Sequence, residues 1–230
     1  MIPLRDDNPT VLKPVVTVGF IVASTVVFLY QMSLLSADPR LLNRFIAQMG
    51  MVPASIAQGR LPGTGGYLTI FSSMFLHGGL VHLGGNMLYL WIFGNNIEDS
   101  MSHLRFVVFY FVVGLAAGLT HLVFDSTSTV PTIGASGAVS GILGAYLVLF
   151  PQARIKTLVT LGFFFRIIYL PAWFLLLFWI GFQVLSQVLV PMNPMGGGVA
   201  YAAHIGGFLA GVVLIPLFRK YQRRTHFRYF

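Results

Sequence analysis

The sequence contains no cysteine and very little charge. Without cysteine, disulfide bonds and thiolate nucleophiles are excluded, so any nucleophile must be another residue type. Charged residues make up 9% of the chain, whereas soluble domains carry about 25%. Hydrophobic residues make up 56%, and the mean hydropathy is +0.81. A water-soluble core cannot use so much apolar surface, so this composition predicts a membrane protein.

Long uncharged stretches predict helices that cross the bilayer, because several exceed the roughly 20 residues that a spanning helix needs. Six spans are expected, at about 14–35, 80–97, 104–124, 136–150, 170–190 and 200–218. Segment 36–79 is expected as a structured loop with a short helix near 40–50. The expected fold class is therefore an all-α integral membrane protein, with six transmembrane helices in a compact bundle and a long first loop.

The excess of basic residues predicts the orientation of these spans. An even number of spans places both termini on one side, and eleven basic residues fall on that side against three on the other. The eleven are Arg5, Lys13, Arg105, Arg154, Lys156, Arg166, Arg219, Lys220, Arg223, Arg224 and Arg228. The positive-inside rule then places both termini in the cytoplasm, and the plasma membrane is the expected location. The net charge of +8 is thus attributed to membrane topology. The C-terminal basic run is interpreted as a cytoplasmic anchor that contacts anionic lipid headgroups and not as a nucleic-acid site.

Polar side chains at membrane depth are costly, so each one in a span is a candidate functional residue. His82 and Asn86 lie four residues apart in the second predicted span, a spacing that puts both on one helical face. His77 lies five residues before His82, about 140° round a helix, and is expected where the chain enters this span. His82 and Asn86 can therefore serve one site together.

Ser136 and His204 are the candidate reacting groups. Ser136 has glycine on both sides within 134–137, which permits an irregular turn and close backbone approach before the fourth span. At a helix N-terminus, free backbone N–H groups would favour an oxyanion on a substrate. His204 opens the last span and is followed by Gly207 and Gly211, whose spacing permits close helix packing that could bring His204 to Ser136. Each feature alone is more often a packing feature, and only their joint occurrence favours acyl transfer.

Three motifs in this chain resemble the rhomboid family of intramembrane proteases. They are Gly134-Ala135-Ser136-Gly137, His82-x-x-x-Asn86 and Ala203-His204-Ile205-Gly206-Gly207. The resemblance extends over roughly residues 60–218 and through the order and number of the spans. A single membrane domain is accordingly expected over residues 1–230, with this family-like core and a basic tail at 219–230.

The resemblance implies an intramembrane serine endopeptidase that cleaves single-span membrane proteins in the lipid bilayer. Ser136 then corresponds to the family's nucleophile and His204 to its base, with no acidic third member, no cofactor and no metal. His82, Asn86 and the backbone N–H of Ser136 correspond to the groups that hold the oxyanion. Many members carry an aromatic residue four positions after the serine, where this chain has Ser140. We therefore expect His204 to be held in a different way.

Other functions are compatible with part of this pattern. His77, His82 and His204 could ligate zinc, although no His-Glu-x-x-His motif is present. A small-solute transporter would also place polar residues in spans, but no matching half-helices in two repeats are seen. An aspartyl protease needs two membrane-embedded aspartates, which the predicted spans lack. A catalytically silent binder of membrane clients is the alternative within the family, although such members usually lose the serine or the histidine.

Overall fold

The computed structural model of the chain describes residues 1–59, 66–161, 164–189 and 198–220. The part of the basic tail beyond Lys220 lies outside the described residues. The helices are α1 Val15–Ala37, α2 Pro39–Met49, α3 Pro53–Ala57, α4 Thr69–Ser72, α5 Leu80–Tyr89, α6 Asn95–Met101, α7 His103–Phe124, α8 Ser136–Leu149, α9 Ala172–Leu189 and α10 Tyr201–Phe218. The strands are β1 Ile2–Asp6, β2 Arg154–Leu161 and β3 Phe164–Pro171.

Within the described residues, four helices are long and apolar enough to cross a membrane: α1, α7, α9 and α10. The helix α8 is apolar but has only 14 residues. A π-helical segment, Leu90–Gly94, joins α5 to α6, so that helical structure continues from Leu80 to Met101. The chain is therefore a mostly helical, multi-pass membrane protein.

The helix α8 lies at the centre of the molecule. Nine of its 14 residues are buried, and it packs most extensively against α10 and also against α7. A helix that is apolar all round is stable when other helices cover every face. The short length of α8 is thus compatible with its central position, because little of it is left for lipid to cover.

The segment expected as a long first loop is largely helical. It contains α2, α3 and α4 together with two short 3₁₀ turns, Gly66–Leu68 and Ser73–Phe75. The helix expected near 40–50 corresponds to α2, which begins with Pro39 after the capping side chain of Asp38.

The expected all-α class is wrong in one respect, because three strands form an antiparallel sheet in the order β1-β2-β3. The strands β2 and β3 pair from Ile155 opposite Leu170 to Val159 opposite Arg166. Their β-branched and aromatic residues favour extended structure, whereas the expected spans leave this segment as a connection between the fourth and fifth spans. The third strand, β1, comes from the start of the chain, where no local pattern marks its partner.

Polar contacts with α6 hold the N-terminal segment in place. The fully buried carboxylate of Glu98 accepts hydrogen bonds from the backbone N–H groups of Val16 and Thr17 at 2.9 and 2.8 Å. It also contacts the Thr17 hydroxyl and Nδ1 of His103. Backbone N–H groups at a helix start have no partner within the helix, so Glu98 satisfies the first turn of α1.

Asp6 forms a second connection, since its carboxylate accepts from Tyr146 Oη and Asn96 Nδ2, each at 2.7 Å. Burial raises the pKa of the Asp6 carboxyl above its ordinary value, and these two hydrogen bonds oppose the rise. The start of the chain is thereby connected to both α6 and α8.

The buried role of Glu98 leads to a stability prediction. Glu98→Leu leaves two N–H groups of α1 unpaired, so we expect the free energy of unfolding to fall by about 2–4 kcal/mol. Asp99→Leu is the matched control, because Asp99 accepts from Val11 and Leu12 at a partly exposed position where water can replace it. Its effect should stay below about 1 kcal/mol. SDS titration of the purified protein in detergent measures both, and equal losses would contradict the assignment.

Candidate active site

Ser136 is the first residue of α8, and the preceding turn requires glycine. Gly134 has a φ of +126°, a backbone conformation that side chains rarely permit, and its N–H donates to Ser73 O at 2.9 Å. A Cβ at Gly134 would lie 2.7 Å from His82 Nε2 and 3.7 Å from Asn86 Nδ2. The glycine therefore allows the turn before Ser136 to approach the polar face of α5.

Close contact between α8 and α10 brings the ends that carry Ser136 and His204 together. A Cβ at Gly207 would overlap the carbonyl oxygen of Gly137, and one at Gly211 would overlap that of Gly141. These pairs follow one another in the same order along both helices, so the two helices run parallel. Small residues are what permit such backbone contact between membrane helices.

One cavity of about 1290 Å³ collects the predicted site residues. Its lining includes Ser136, His204, His82 and Asn86, which come from α8, α10 and α5. His77 does not line the cavity; it precedes α5, and its ring lies 5.2 Å from the ring of His82. The structure thus brings four of the five singled-out residues to one cavity.

The polar face of α5 points toward the turn that precedes Ser136. Nδ1 of His82 accepts from the backbone N–H of Gly78 at 3.3 Å, which leaves Nε2 on the side of Gly134. Asn86 is 8% exposed, and within the described residues its Nδ2 has no hydrogen-bond partner. Buried amide donors are nearly always satisfied, so an unpaired one at a cavity wall is a candidate ligand-binding group.

His204 is held by α9, through residues that the sequence analysis did not single out. Its Nδ1 is hydrogen-bonded to Gln183 Oε1 at 2.8 Å, and both side chains are buried. Trp179, one turn earlier on α9, places its ring 5.8 Å from the imidazole. The sequence did contain an indication that Gln183 is a candidate functional residue, because it is a polar residue within a predicted span.

Ser140 occupies the position where the resemblance suggests an aromatic residue. Its hydroxyl donates to the backbone oxygen of Ser136 at 2.6 Å, so it supports the first turn of α8 and does not stack on His204. The aromatic contact with His204 is made by Trp179 from another helix.

Among the described residues, no group of three or more histidine and acidic side chains is close enough together to hold a metal ion. The zinc set considered from the sequence, His77, His82 and His204, is therefore not assembled. His77 and His82 approach each other, whereas His204 is hydrogen-bonded to an amide.

Comparison with known proteins places the chain in a family. Residues 64–221 match the family model of the Rhomboid domain. Rhomboid protein 1, mitochondrial, of Saccharomyces cerevisiae is 33% identical over 155 residues, covering 64% of this chain and 40% of that protein. Rhomboid protease GluP of Bacillus subtilis is 32% identical over 112 residues, covering 49% of this chain and 22% of that protein.

Rhomboid-related protein 2 of Mus musculus is 30% identical over 141 residues, covering 61% of this chain and 44% of that protein. The chain thus spans less than half the length of these relatives. The family model nevertheless covers well over half of the chain and includes the four predicted site residues that line the cavity, His82, Asn86, Ser136 and His204. On this match, the chain belongs to the rhomboid family.

Proposed function

We propose that this protein is an intramembrane serine endopeptidase in which Ser136 is the nucleophile and His204 the general base. The observation that carries the proposal is the single cavity that Ser136 and His204 share with the unpaired amide donor of Asn86. A nucleophile, a base and an oxyanion donor around one cavity are the groups that acyl transfer requires. The named relatives support the class of activity, since one of them is a rhomboid protease.

The proposed reaction has two stages. His204 accepts the proton of the Ser136 hydroxyl while Ser136 attacks the peptide carbonyl, and His204 then protonates the leaving amine. In the second stage His204 takes a proton from water, which attacks the acyl-enzyme; His204 then returns the proton to the Ser136 oxygen as the bond to the acyl group breaks and the second product leaves. No acidic residue takes part, and the Nδ1 partner of His204 is the neutral amide of Gln183.

Asn86, His82 and the N-terminal backbone of α8 are proposed to stabilise the oxyanion. The N–H groups of the first turn of α8 have no partner within the helix. His82 Nε2 and Asn86 Nδ2 lie next to Gly134, two residues before the nucleophile. A preorganised set of donors in a water-poor site stabilises developing charge more than the same donors in water.

The finer membrane arrangement is part of this proposal. The continuous helix from Leu80 to Met101 and the buried α8 would complete six spans with α1, α7, α9 and α10. We propose that both termini lie in the cytoplasm, which the distribution of basic residues supports, and that the membrane is the plasma membrane; some relatives carry mitochondrial names. Substrates would be single-span proteins, cut where small residues weaken the helix, because an intact helix hides its carbonyls in internal hydrogen bonds.

A fluorophosphonate test separates an active enzyme from a silent binder. The wild-type protein in detergent should be labelled and should cleave a model single-span substrate. Both Ser136→Ala and His204→Ala should lose cleavage, and Ser136→Ala should also lose labelling. Ser36→Ala, at an exposed site on α1, is the control and should behave as wild type. An unlabelled, inactive wild type would favour the silent binder. Cleavage by Ser136→Ala would remove Ser136 from the mechanism.

The position of Gly134 makes a second prediction. In the Gly134→Ala variant, the alanine would be strained at the positive φ of this position, and its Cβ would displace His82. Fluorophosphonate labelling of Ser136 should therefore slow by about a hundredfold, as expected for misplaced catalytic groups. Gly84→Ala, on the exposed side of α5 with open space around its Cα, should label at the wild-type rate. Equal rates for both variants would show that the turn tolerates a side chain.

Removal of the Asn86 amide should affect the rate more than binding. Asn86→Ala should lower kcat by about 10²–10³ with little change in KM, because an oxyanion donor acts mainly in the transition state. Steady-state cleavage of a reconstituted substrate gives both constants, with Asn43→Ala on the exposed face of α2 as the control. His82→Ala should be at least as damaging. An unchanged kcat for Asn86→Ala, or simple unfolding, would leave Asn86 a packing role only.

A further inference from the structure

Gln183 is a buried amide in α9, a helix that presents large apolar side chains on its exposed face. Leu177, Phe178 and Phe182 of α9 are each about half exposed, whereas Gln183 is 6% exposed. Its Oε1 lies 2.8 Å from Nδ1 of His204. An amide oxygen can only accept a hydrogen bond, so with Oε1 of Gln183 facing the ring, the neutral imidazole carries its proton on Nδ1.

We propose that Gln183 is a positioning residue that keeps His204 in the tautomer required of a base. With the proton on Nδ1, the lone pair of Nε2 is free to accept the Ser136 proton. This inference rests on the proposed function, because it concerns the orientation of the residue assigned there as the base. In other hydrolytic sites, a residue hydrogen-bonded to the imidazole nitrogen that does not face the nucleophile has the same physical role. The hydrogen bond made by that residue sets the tautomer of the histidine.

Trp179 gives the arrangement a second point of support. It lies one turn before Gln183 on α9, and its ring is inclined by 34° to the imidazole at a centroid distance of 5.8 Å. The contact with Trp179 restricts the tilt of the imidazole plane, and the hydrogen bond with Gln183 restricts rotation of the imidazole within that plane. Both come from α9, so the orientation of His204 depends on where α9 lies relative to α10.

Two substitutions at position 183 separate positioning from packing. Gln183→Met keeps the volume and removes the acceptor, whereas Gln183→Glu keeps an acceptor oxygen. A positioning role predicts that Gln183→Met lowers kcat by about tenfold with KM nearly unchanged, and that Gln183→Glu retains the larger share of activity. A packing role predicts the opposite order, because methionine suits an apolar helix interface better than glutamate. Gln48→Met, exposed on α2, is the control for the substitution itself.

A spectroscopic measurement tests the tautomer without relying on activity. In protein labelled with ¹⁵N-histidine, the His204 signals are identified by their loss in His204→Ala. Wild type should show a protonated Nδ1 and an unprotonated Nε2, and Gln183→Met should show a mixture of tautomers. An unchanged tautomer in Gln183→Met would overturn the inference even if the enzyme is active. If the wild-type protein is inactive but Gln183→Met changes the His204 tautomer as expected, the proposed function is contradicted, whereas the role of Gln183 in setting the tautomer is retained.

Discussion

The site depends on backbone contact between α8 and α10. Gly137 and Gly141 on one helix face Gly207 and Gly211 on the other, and a single added methyl group would overlap a carbonyl oxygen at either contact. Ser136 directly precedes one contact, and His204 lies one turn before its partner. Without this close approach, two helices separated by more than 50 residues of chain would have no reason to align their ends. The register of this helix pair therefore decides whether Ser136 and His204 share a cavity.

The buried polar groups differ in their hydrogen bonding, and this difference separates groups that hold the fold together from a candidate ligand-binding group. Gln31 on α1 exchanges two hydrogen bonds with the backbone of His77, and Glu98 satisfies the start of the same helix. These groups hold elements together through hydrogen bonds within the protein. Asn86, in contrast, lies at the cavity wall, and its Nδ2 has no hydrogen-bond partner among the described residues. In a bilayer, where an unpaired polar group is costly, such a donor is most easily explained by a ligand that uses it.

The sequence predicted what depends on local pattern and missed what depends on remote partners. Spacing alone put His82 and Asn86 on one helical face, and glycines marked the turn before Ser136, because both are properties of a few consecutive residues. The hydrogen bond between Gln183 and His204 could not be derived, since it depends on how α9 rotates about its axis. Hydropathy also failed for the sheet, because short strands between two spans resemble a loop when only the apolar average is considered.

The pairing of β1 with β2 has a consequence for biosynthesis. Ile2 lies opposite Leu158, so the first strand has no partner until some 150 further residues have been made. At about 5–20 residues per second, the ribosome needs on the order of 10–30 s for that length. During this interval α1 and α7 can enter the membrane while the N-terminal strand remains unpaired. Closure of the sheet is thus a late event, which connects the beginning of the chain to a region made after Ser136.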